Sequence, residues 1–489
     1  MSNTPTNTPT TTADIGADNA PRKRPTSPMH PYAGRFAVHD SIPETGVPRE
    51  QILDELRQMS SEEDVKGDSG RVSGSIYSGD HDHYAFLTEA YEFYAHSNVL
   101  QRDMYPSATK LESEIIAMTA EMLHGDDTTG GLVTSGGTES LVTAMLTYRE
   151  WGRNTKGIDH PQIIMPVTAH PAHDKAMHYF GIDVIKAPVT DQYVVDLDFV
   201  RDHITPNTVA LVGSAGTYPH GLIDPITELG QLAIAHGIGL HVDGCLGGFI
   251  IAWAEDLGYS VPPFDLRVPG VTSMSADTHK YGYALKGSSV LLFRPKSLRR
   301  HQYRIIDGWP GGNYASPSMG GSRSGGLIAA TWASMLSMGK SGYRSIAKDI
   351  FRTADEIKAA VRSHPELTMI GDSVFNVAFT ATPARPGGPA ALDIYHVNDG
   401  LTKRGWRMNG LQLPPALHFC VTRPNTQPGI TEAFAHDLTE AIEYAKNPPS
   451  PMPRSGAMYG AGGAIPDREE MLVSIADRLD AMHEVGPKE

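Results

Sequence analysis

Apolar residues recur along this chain in two alternating rhythms. From about residue 108, Leu111, Ile115, Met118 and Met122 form the stripe of an amphipathic helix, and Gly125 supplies its stop. A shorter stripe, Leu87, Tyr91 and Tyr94, precedes it, and mixed helix signals occupy 47–60. Beyond 125, short apolar runs at 131–134, 163–165, 209–212, 239–242, 271–275 and 289–293 alternate with helical patterns around 141–148, 175–180 and 225–236. Such alternation predicts an α/β fold whose mainly parallel strands are joined by crossovers, with helices on both faces of the sheet. A helix rich in small residues at 326–339 leads into a long one near 341–362. The texture then changes to strand runs between 369 and 379, a helix at 391–404, strands at 406–421 and a Pro/Gly-rich loop at 447–466. The expected organisation is an N-terminal segment over 31–105, a large domain over 106–345 and a small α+β domain over 346–489.

Residues 1–30 break this pattern. They are rich in Thr, Pro and Asn, with hardly a large apolar side chain, and read as a disordered tail. Its single basic cluster, Arg22-Lys23-Arg24, is too small to hold a membrane.

Composition narrows the function classes. Of 489 residues, 40% are apolar and 20% charged, enough for a substantial core. The formal charge of −15 argues against a nucleic-acid binder, which needs a basic footprint. Two cysteines, Cys245 and Cys420, imply no disulfide framework, fit a reducing compartment and read as core thiols. No apolar run reaches the length of a membrane span, and no basic start leads into an apolar signal region. The basic run Arg294, Lys296, Arg299, Arg300 and Arg304 is read as a solvated helix face, and His81 and His83 beside Asp80 and Asp82 as a polar loop without metal-ligand spacing.

Four segments carry chemistry. Thr134-Ser135-Gly136-Gly137-Thr138-Glu139-Ser140 joins a strand to a helix, and its paired glycines, hydroxyls and helix N-terminal amides suit an anion. No Lys follows the glycines as in a nucleotide P-loop. His241-Val242-Asp243 ends an apolar strand, where open α/β sheets bind ligands, and a carboxylate there can hold a cationic ring nitrogen. Ser275-Ala276-Asp277-Thr278-His279-Lys280 follows another strand, and a lysine in a desolvated pocket can condense with a carbonyl. Thr168-Ala169-His170 stands at a third strand end. Taken singly, the loop is more often an ordinary capped turn, the lysine a solvated surface group and His170 a structural residue or helix cap, while Asp243 is as often a cap of the next turn. Together, a phosphate cradle, a carboxylate and a later lysine match the three needs of a cofactor with a phosphate, a pyridine nitrogen and an aldehyde.

That order resembles the fold-type I (aspartate aminotransferase-like) pyridoxal-phosphate enzymes. Ser275–Lys280 continuing through Tyr281-Gly282-Tyr283-Ala284-Leu285-Lys286-Gly287 is similar to the signature of the sphingosine-1-phosphate lyases, within the group II decarboxylase superfamily. The resemblance extends to Ser135–Ser140, Tyr218-Pro219-His220-Gly221, Val242-Asp243-Gly244-Cys245-Leu246-Gly247-Gly248, Tyr314-Ala315-Ser316-Pro317, Gly321-Ser322-Arg323 and the 414–420 stretch. It implies pyridoxal 5'-phosphate, bonded to Lys280, held at its ring nitrogen by Asp243 and stacked on by His170. Ser135, Gly136, Gly137, Thr138 and His279 would hold the cofactor phosphate. Tyr77, Asn98, Lys286 and Arg323 would hold a substrate phosphate, and Tyr314 would sit near the reacting carbons. The implied partner is a phosphorylated sphingoid base, cleaved by retro-aldol chemistry in a homodimer with shared active sites. The base at the C3 hydroxyl is Tyr314, Lys280 or the substrate phosphate.

Two positions depart from the family. Gln101 stands where the lyases usually carry His, so that position supplies no proton shuttle, and Gly244 replaces the usual Ala. The membrane anchor of the eukaryotic lyases is missing, which implies a bacterial-type, cytoplasmic member. The competing readings are an amino-acid decarboxylase on the same fold and a non-catalytic cofactor-binding scaffold. With a net negative chain, the expected positive charge for phosphate is local, at Lys286, His279 and Arg323.

Overall fold

The computed structural model describes residues 31–456 and 468–483, apart from 33, 40, 385–387 and 389. The expected tail at 1–30 and the 457–466 part of the expected loop lie outside the described residues. The described residues from 66 to 456 form one compact unit, and the described residues 31–65 and 468–483 belong to a second. In the second unit the Arg35 guanidinium pairs with Glu62 at 2.7 Å, the Tyr32 hydroxyl donates to Glu63, and a helix covers Arg468–His483.

The large sheet of the main unit is built from β1 (Gly130–Thr134), β2 (Gln162–Pro166), β3 (Asp183–Ala187), β4 (Thr208–Ser214), β5 (Gly239–Asp243), β6 (Ser273–Ala276) and β7 (Ser289–Phe293). Their order is β1-β7-β6-β5-β4-β2-β3. The runs β4 to β7 are buried along their whole length, as strands covered by helices on both faces must be. Edge strand β3, absent from the sequence reading, carries Asp183 and Lys186 and is half exposed, so its apolar signal is diluted.

One reversal in this sheet positions the chemistry. Strand β7 is antiparallel to both β6 and β1, and the remaining pairs are parallel. Two reversals restore direction, so β1 runs parallel to β6. The carboxyl ends of β1, β2, β5 and β6 therefore share one edge, the usual ligand edge of such sheets. Strand β7 enters at that same edge, which brings the residues just before it, Lys286 to Ser288, to the loops after β1 and β6.

A short hairpin of β8 (Arg304–Ile306) and β9 (Tyr314–Ser316) follows. The helical stretch Gly325–Arg362 is broken at Gly339 (φ 54°, ψ 171°), at the boundary the sequence pattern predicts. Strands β10 (Leu367–Met369), β11 (Asn376–Ala381), β12 (Asn409–Gln412) and β13 (Pro415–Cys420) make a four-stranded antiparallel sheet in the order β10-β11-β13-β12. Trp406, Phe419 and Phe434 meet at ring separations of 5.2–5.8 Å and anchor this sheet to the helix Ile430–Lys446.

The basic run at 294–304 is partly drawn into the fold. Arg294 donates to the carbonyls of Leu266, Val268 and Val271, and Arg299 to that of Gly131. His81 Nε2 meets Asp68 at 3.1 Å and His83 Nε2 the Tyr283 carbonyl at 3.0 Å. Among the described residues, no group of three or more His, Cys, Asp or Glu is placed to hold a metal ion, and no helix is long and apolar enough to cross a membrane.

Candidate active site

Strand β1 ends at Thr134, and the chain turns through Ser135 and Gly136 into the helix Gly137–Lys156. Gly136 is the N-cap at φ 147°, a region L side chains avoid, and a Cβ there would lie 3.3 Å from His279 Cε1. With glycine in that place no side chain caps the first turn. Its amides, at the positive end of the helix dipole, are left for an anion. Glu139, the third residue of the helix, fixes the loop: Oε2 accepts the Ser135 N–H at 2.7 Å and Oε1 that of Met319 at 3.1 Å.

Ser135, Gly136, Gly137 and Thr138 line a cavity of ≈ 300 Å³ together with Tyr77, His170, Asp243, His279 and Lys280. Asp243 closes β5, and its Oδ1 accepts the Cys245 N–H at 3.0 Å. Burial works to raise its pKa, but His173, His170 and His241 outweigh that and hold it below the ordinary carboxylate value. His170 Nδ1 accepts the Ala172 N–H at 3.1 Å, so the neutral ring carries its proton on Nε2. Burial lowers its pKa and keeps it an uncharged, flat ring.

Lys280 Nζ lies 2.9 Å from Asp277 Oδ2. Burial disfavours the ammonium, yet Asp277, with Tyr77 and Cys245, more than compensates and raises Lys280 well above the ordinary lysine value. His279 Nδ1 accepts the Ser288 N–H at 3.1 Å, and burial pushes its pKa down. The positive charge expected at His279 is therefore a neutral ring with its proton on Nε2.

Tyr77 reaches the cavity from a segment hung on the small sheet. Ser73 N–H donates to the Arg407 carbonyl at 2.9 Å, Gly74 N–H to Cys420 at 2.8 Å, and Ser73 Oγ accepts from Cys420 N–H at 2.9 Å. His418 on β13 ties this wall to the opposite one. The Pro219 carbonyl can only accept and the Asn409 amide can only donate, so Nδ1–H donates to Pro219 at 2.9 Å and Nε2 accepts from Asn409 Nδ2 at 3.0 Å. Lys286 donates to the Ser75 carbonyl at 3.1 Å and lies 4.6 Å from the centre of the Tyr77 ring. More than a third of its surface is open to solvent, but crowding around the ammonium, with Lys280 nearby as a like charge, lowers its pKa to about 8.

Four expected site residues do not line this cavity: Lys286, which stands behind Tyr77 and His279, and Asn98, Arg323 and Tyr314. Asn98 Oδ1 accepts the N–H groups of Leu100 and Arg323, and its Nδ2 donates to Ser322 Oγ. Arg323 grips Glu112 with both terminal nitrogens, at 2.6 and 3.1 Å, and the Val133 carbonyl at 2.9 Å. Its charge is matched within the fold, contrary to the expectation of a local surplus there. Tyr314 pairs with Ile306 in the β8–β9 hairpin.

The sequence reading assigned no role to other residues of the cavity wall, among them Asp277, Ser214, Tyr218, Cys245 and Glu139. Asp277 and Glu139 had usable signals, a carboxylate one turn before the lysine and an acid three places past the N-cap. Tyr218 stood in a quoted motif. Ser214 had no signal beyond ending a strand.

The fit to pyridoxal phosphate rests on these groups: uncapped backbone amides for its phosphate, a charged buried carboxylate for its ring nitrogen, a neutral imidazole for its ring face and a lysine for its aldehyde. Fold and site thus define a pyridoxal-phosphate-dependent enzyme of the decarboxylase class, and residues 33–382 match the family model described as the pyridoxal-dependent decarboxylase conserved domain. A glutamate decarboxylase from Lactobacillus brevis shares the fold at 18% identity, with a TM-score of 0.71 over 86% of this chain and 98% of that one. Closer likeness lies with one branch. A sphingosine-1-phosphate lyase from Burkholderia pseudomallei is 49% identical, with a TM-score of 0.86 over 93% of this chain and 99% of its own. The lyase of Dictyostelium discoideum is 40% identical over 91% of this chain and 82% of its own length, and a probable lyase of Legionella pneumophila 37% identical over 82% and 67%. The chain belongs to the sphingosine-1-phosphate lyase family.

Proposed function

We propose that this protein cleaves the C2–C3 bond of sphingosine 1-phosphate, or a related phosphorylated long-chain base, to a long-chain aldehyde and phosphoethanolamine. The observation that carries the reading is Lys286, a cation placed beside Tyr77 and His279 where β7 enters the ligand edge. A substrate bearing a phosphate needs that charge, and an amino acid losing carbon dioxide needs it less.

Bound pyridoxal phosphate supplies an aldehyde that exchanges amines and a ring that accepts the electron pair freed at the substrate's amine-bearing carbon. Gly136, Gly137 and Thr138 hold its phosphate through backbone amides, with Ser135 and His279 beside them. Asp243 keeps the ring nitrogen protonated, which deepens the electron sink. His170 covers the ring face, and Lys280 bonds the aldehyde. Tyr77 and Lys286 orient the substrate phosphate. The C3 hydroxyl proton needs a base, for which Tyr314, Lys280 and the substrate's own phosphate are the candidates.

Asn98, Arg323 and Tyr314 serve the cavity of a second subunit in a homodimer. In support, exposed apolar side chains flank them: Phe93 and Met104 around Asn98, and Ile305, Trp309 and Met319 around Tyr314. In this reading residues 106–345 are the cofactor domain, the segment before it contributes Tyr77 and Asn98, and the small domain that begins at 346 backs the Tyr77 segment through Arg407 and Cys420. The few, buried thiols suit the cytoplasm.

The test is an assay of the pyridoxal-phosphate-loaded protein with sphingosine 1-phosphate, following long-chain aldehyde. Aldehyde and phosphoethanolamine in equal amounts are expected. Carbon dioxide released from amino acids, with no aldehyde from the phosphorylated base, would overturn the reading in favour of a decarboxylase.

A further inference from the structure

Asp277 is drawn up against Lys280 in a way that packing alone does not require. Its carboxylate is buried, with Oδ2 2.9 Å from Lys280 Nζ and 3.7 Å from His279 Nε2, while Oδ1 has no hydrogen-bond partner. A buried carboxylate oxygen left unpaired is costly. The opposite wall makes room for it. A Cβ on Gly137 would lie 2.8 and 2.9 Å from the two carboxylate oxygens and 3.0 Å from Cys245 Sγ, so only glycine leaves the acid its place. The phosphate loop and the lysine loop thus meet across this one side chain.

Other groups surround the lysine. Tyr77 comes from the N-terminal segment, Cys245 from the turn after β5, Cys420 from β13, Lys286 from the approach to β7, and His170 from the end of β2. Burial keeps both thiols protonated and His170 and His279 neutral, and Lys286 is a like charge. Asp243 closes β5, where its Oδ1 accepts the Cys245 N–H, and the carboxylate within ion-pair distance of Lys280 is that of Asp277. The opposing charge for Lys280 is Asp277.

We propose that Asp277 is a positioning residue that holds Lys280 as an ammonium when the lysine is released from the cofactor, so that Lys280 gives a proton to the substrate carbon and is not the base at the C3 hydroxyl. The inference rests on the lyase reading for the identity of that carbon, but the protonation of Lys280 does not. The protons balance. The substrate arrives as an ammonium, two protons pass from the entering nitrogen to the leaving one, and Lys280 departs as an ammonium. It then gives one proton to the electron pair left at C2 by the broken C2–C3 bond, and becomes the free amine that can bond the aldehyde again. The C3 hydroxyl proton falls to Tyr314 or the substrate phosphate.

The test uses the full chain stripped of cofactor. Limiting acetic anhydride is applied across pH 7–10 and acetylation of Lys280 is read by peptide mass spectrometry, in wild type and Asp277→Asn. In wild type, Lys280 labelling should still be rising at pH 10, and Asp277→Asn should label at least about tenfold more at pH 8, one pKa unit's worth. Reloading with pyridoxal phosphate is the second readout. Bonding the aldehyde needs a free amine, so Asp277→Asn should take up cofactor faster at pH 7, whereas a damaged site would load more slowly. Wild-type labelling that levels off below pH 10 overturns the proposal even if the variant fails to fold, as does equal labelling of the two proteins. If the labelling difference holds but no aldehyde forms from sphingosine 1-phosphate, the substrate reading fails and the role of Asp277 toward Lys280 stands.

Discussion

Glu112, on the helix Pro106–Met122, accepts four hydrogen bonds: two from Arg323 at 2.6 and 3.1 Å, one from Arg102 at 2.6 Å and one from the Val133 N–H at 3.2 Å. Its side chain is 5% exposed and that of Arg323 13%, while Arg102 is 39% exposed. Replacing it by glutamine keeps the shape, removes the charge and turns one oxygen into an amide facing guanidinium donors. Unpairing a buried ion costs about 3–5 kcal/mol. The remaining amide oxygen returns about 1 kcal/mol, and the exposed Arg102 contact is screened and adds little. The expected loss for Glu112→Gln is about 2–4 kcal/mol. In a unit of about 400 residues, with an unfolding entropy of about 2.1 cal/mol/K per residue, that lowers the thermal midpoint by about 2–5 °C.

The pH dependence has a definite sign. Burial works to raise the pKa of Glu112, but Arg323 and Arg102 overcome it and hold the group below its ordinary value. A depressed carboxyl stabilises the fold above the unfolded-state pKa, and that contribution disappears as pH falls through the folded-state value. Differential scanning fluorimetry at pH 7 and at pH 4 and below should show the gap between wild type and variant close in acid. At neutral pH the variant should keep its bound-cofactor absorbance, because Glu112 is not on the cavity wall, and lose turnover, because Arg323 and Asn98 share a loop contact. An unchanged midpoint at pH 7, or a gap of the same size in acid, would refute the reasoning.

Two further outcomes follow from the same geometry. Lys286 loses its charge as pH rises through about 8, so KM for the phosphorylated substrate should climb about tenfold per pH unit above that. Lys286→Arg, always charged, should flatten the climb, and Lys286→Ala should keep the cofactor spectrum and lose turnover. Neither Lys280→Ala nor Tyr314→Phe alone should turn over substrate, but co-expressed they should recover about a quarter of wild-type activity if sites are shared in a dimer. No recovery would place Tyr314 outside the partner's site.

Legibility in the sequence followed the physical range of each signal. The strand ends carrying His170, Asp243 and Lys280 were readable because each lies within a few residues of a strong apolar run, and an open α/β sheet sends such ends to one edge. Lys286 was readable through its motif, but its route to the site was not. That depends on β7 running against its neighbours, which a fully buried strand does not encode locally. Arg323 shows the other limit. Its partner Glu112 lies 211 residues away, on the buried face of a helix whose apolar stripe says nothing about one acid within it.

That pairing changes what the net charge means. An acidic chain that binds a phosphate-bearing cofactor and a phosphorylated substrate was expected to gather cations, at Lys286, His279 and Arg323. Instead, His279 is neutral, Arg323 is matched by Glu112, and Lys280 is matched by Asp277. In the proposed reading the cofactor phosphate is left to the backbone amides of the helix Gly137–Lys156, whose partial charges need no counter-ion and do not titrate. Lys286 meets two carbonyl oxygens and an aromatic ring, which steady a cation without neutralising it. Its full charge can then be spent on a substrate phosphate. In the proposed reading, dividing the two anions between fixed amides and one titratable lysine makes the grip on the cofactor phosphate less dependent on a titrating side chain than the grip on a substrate phosphate.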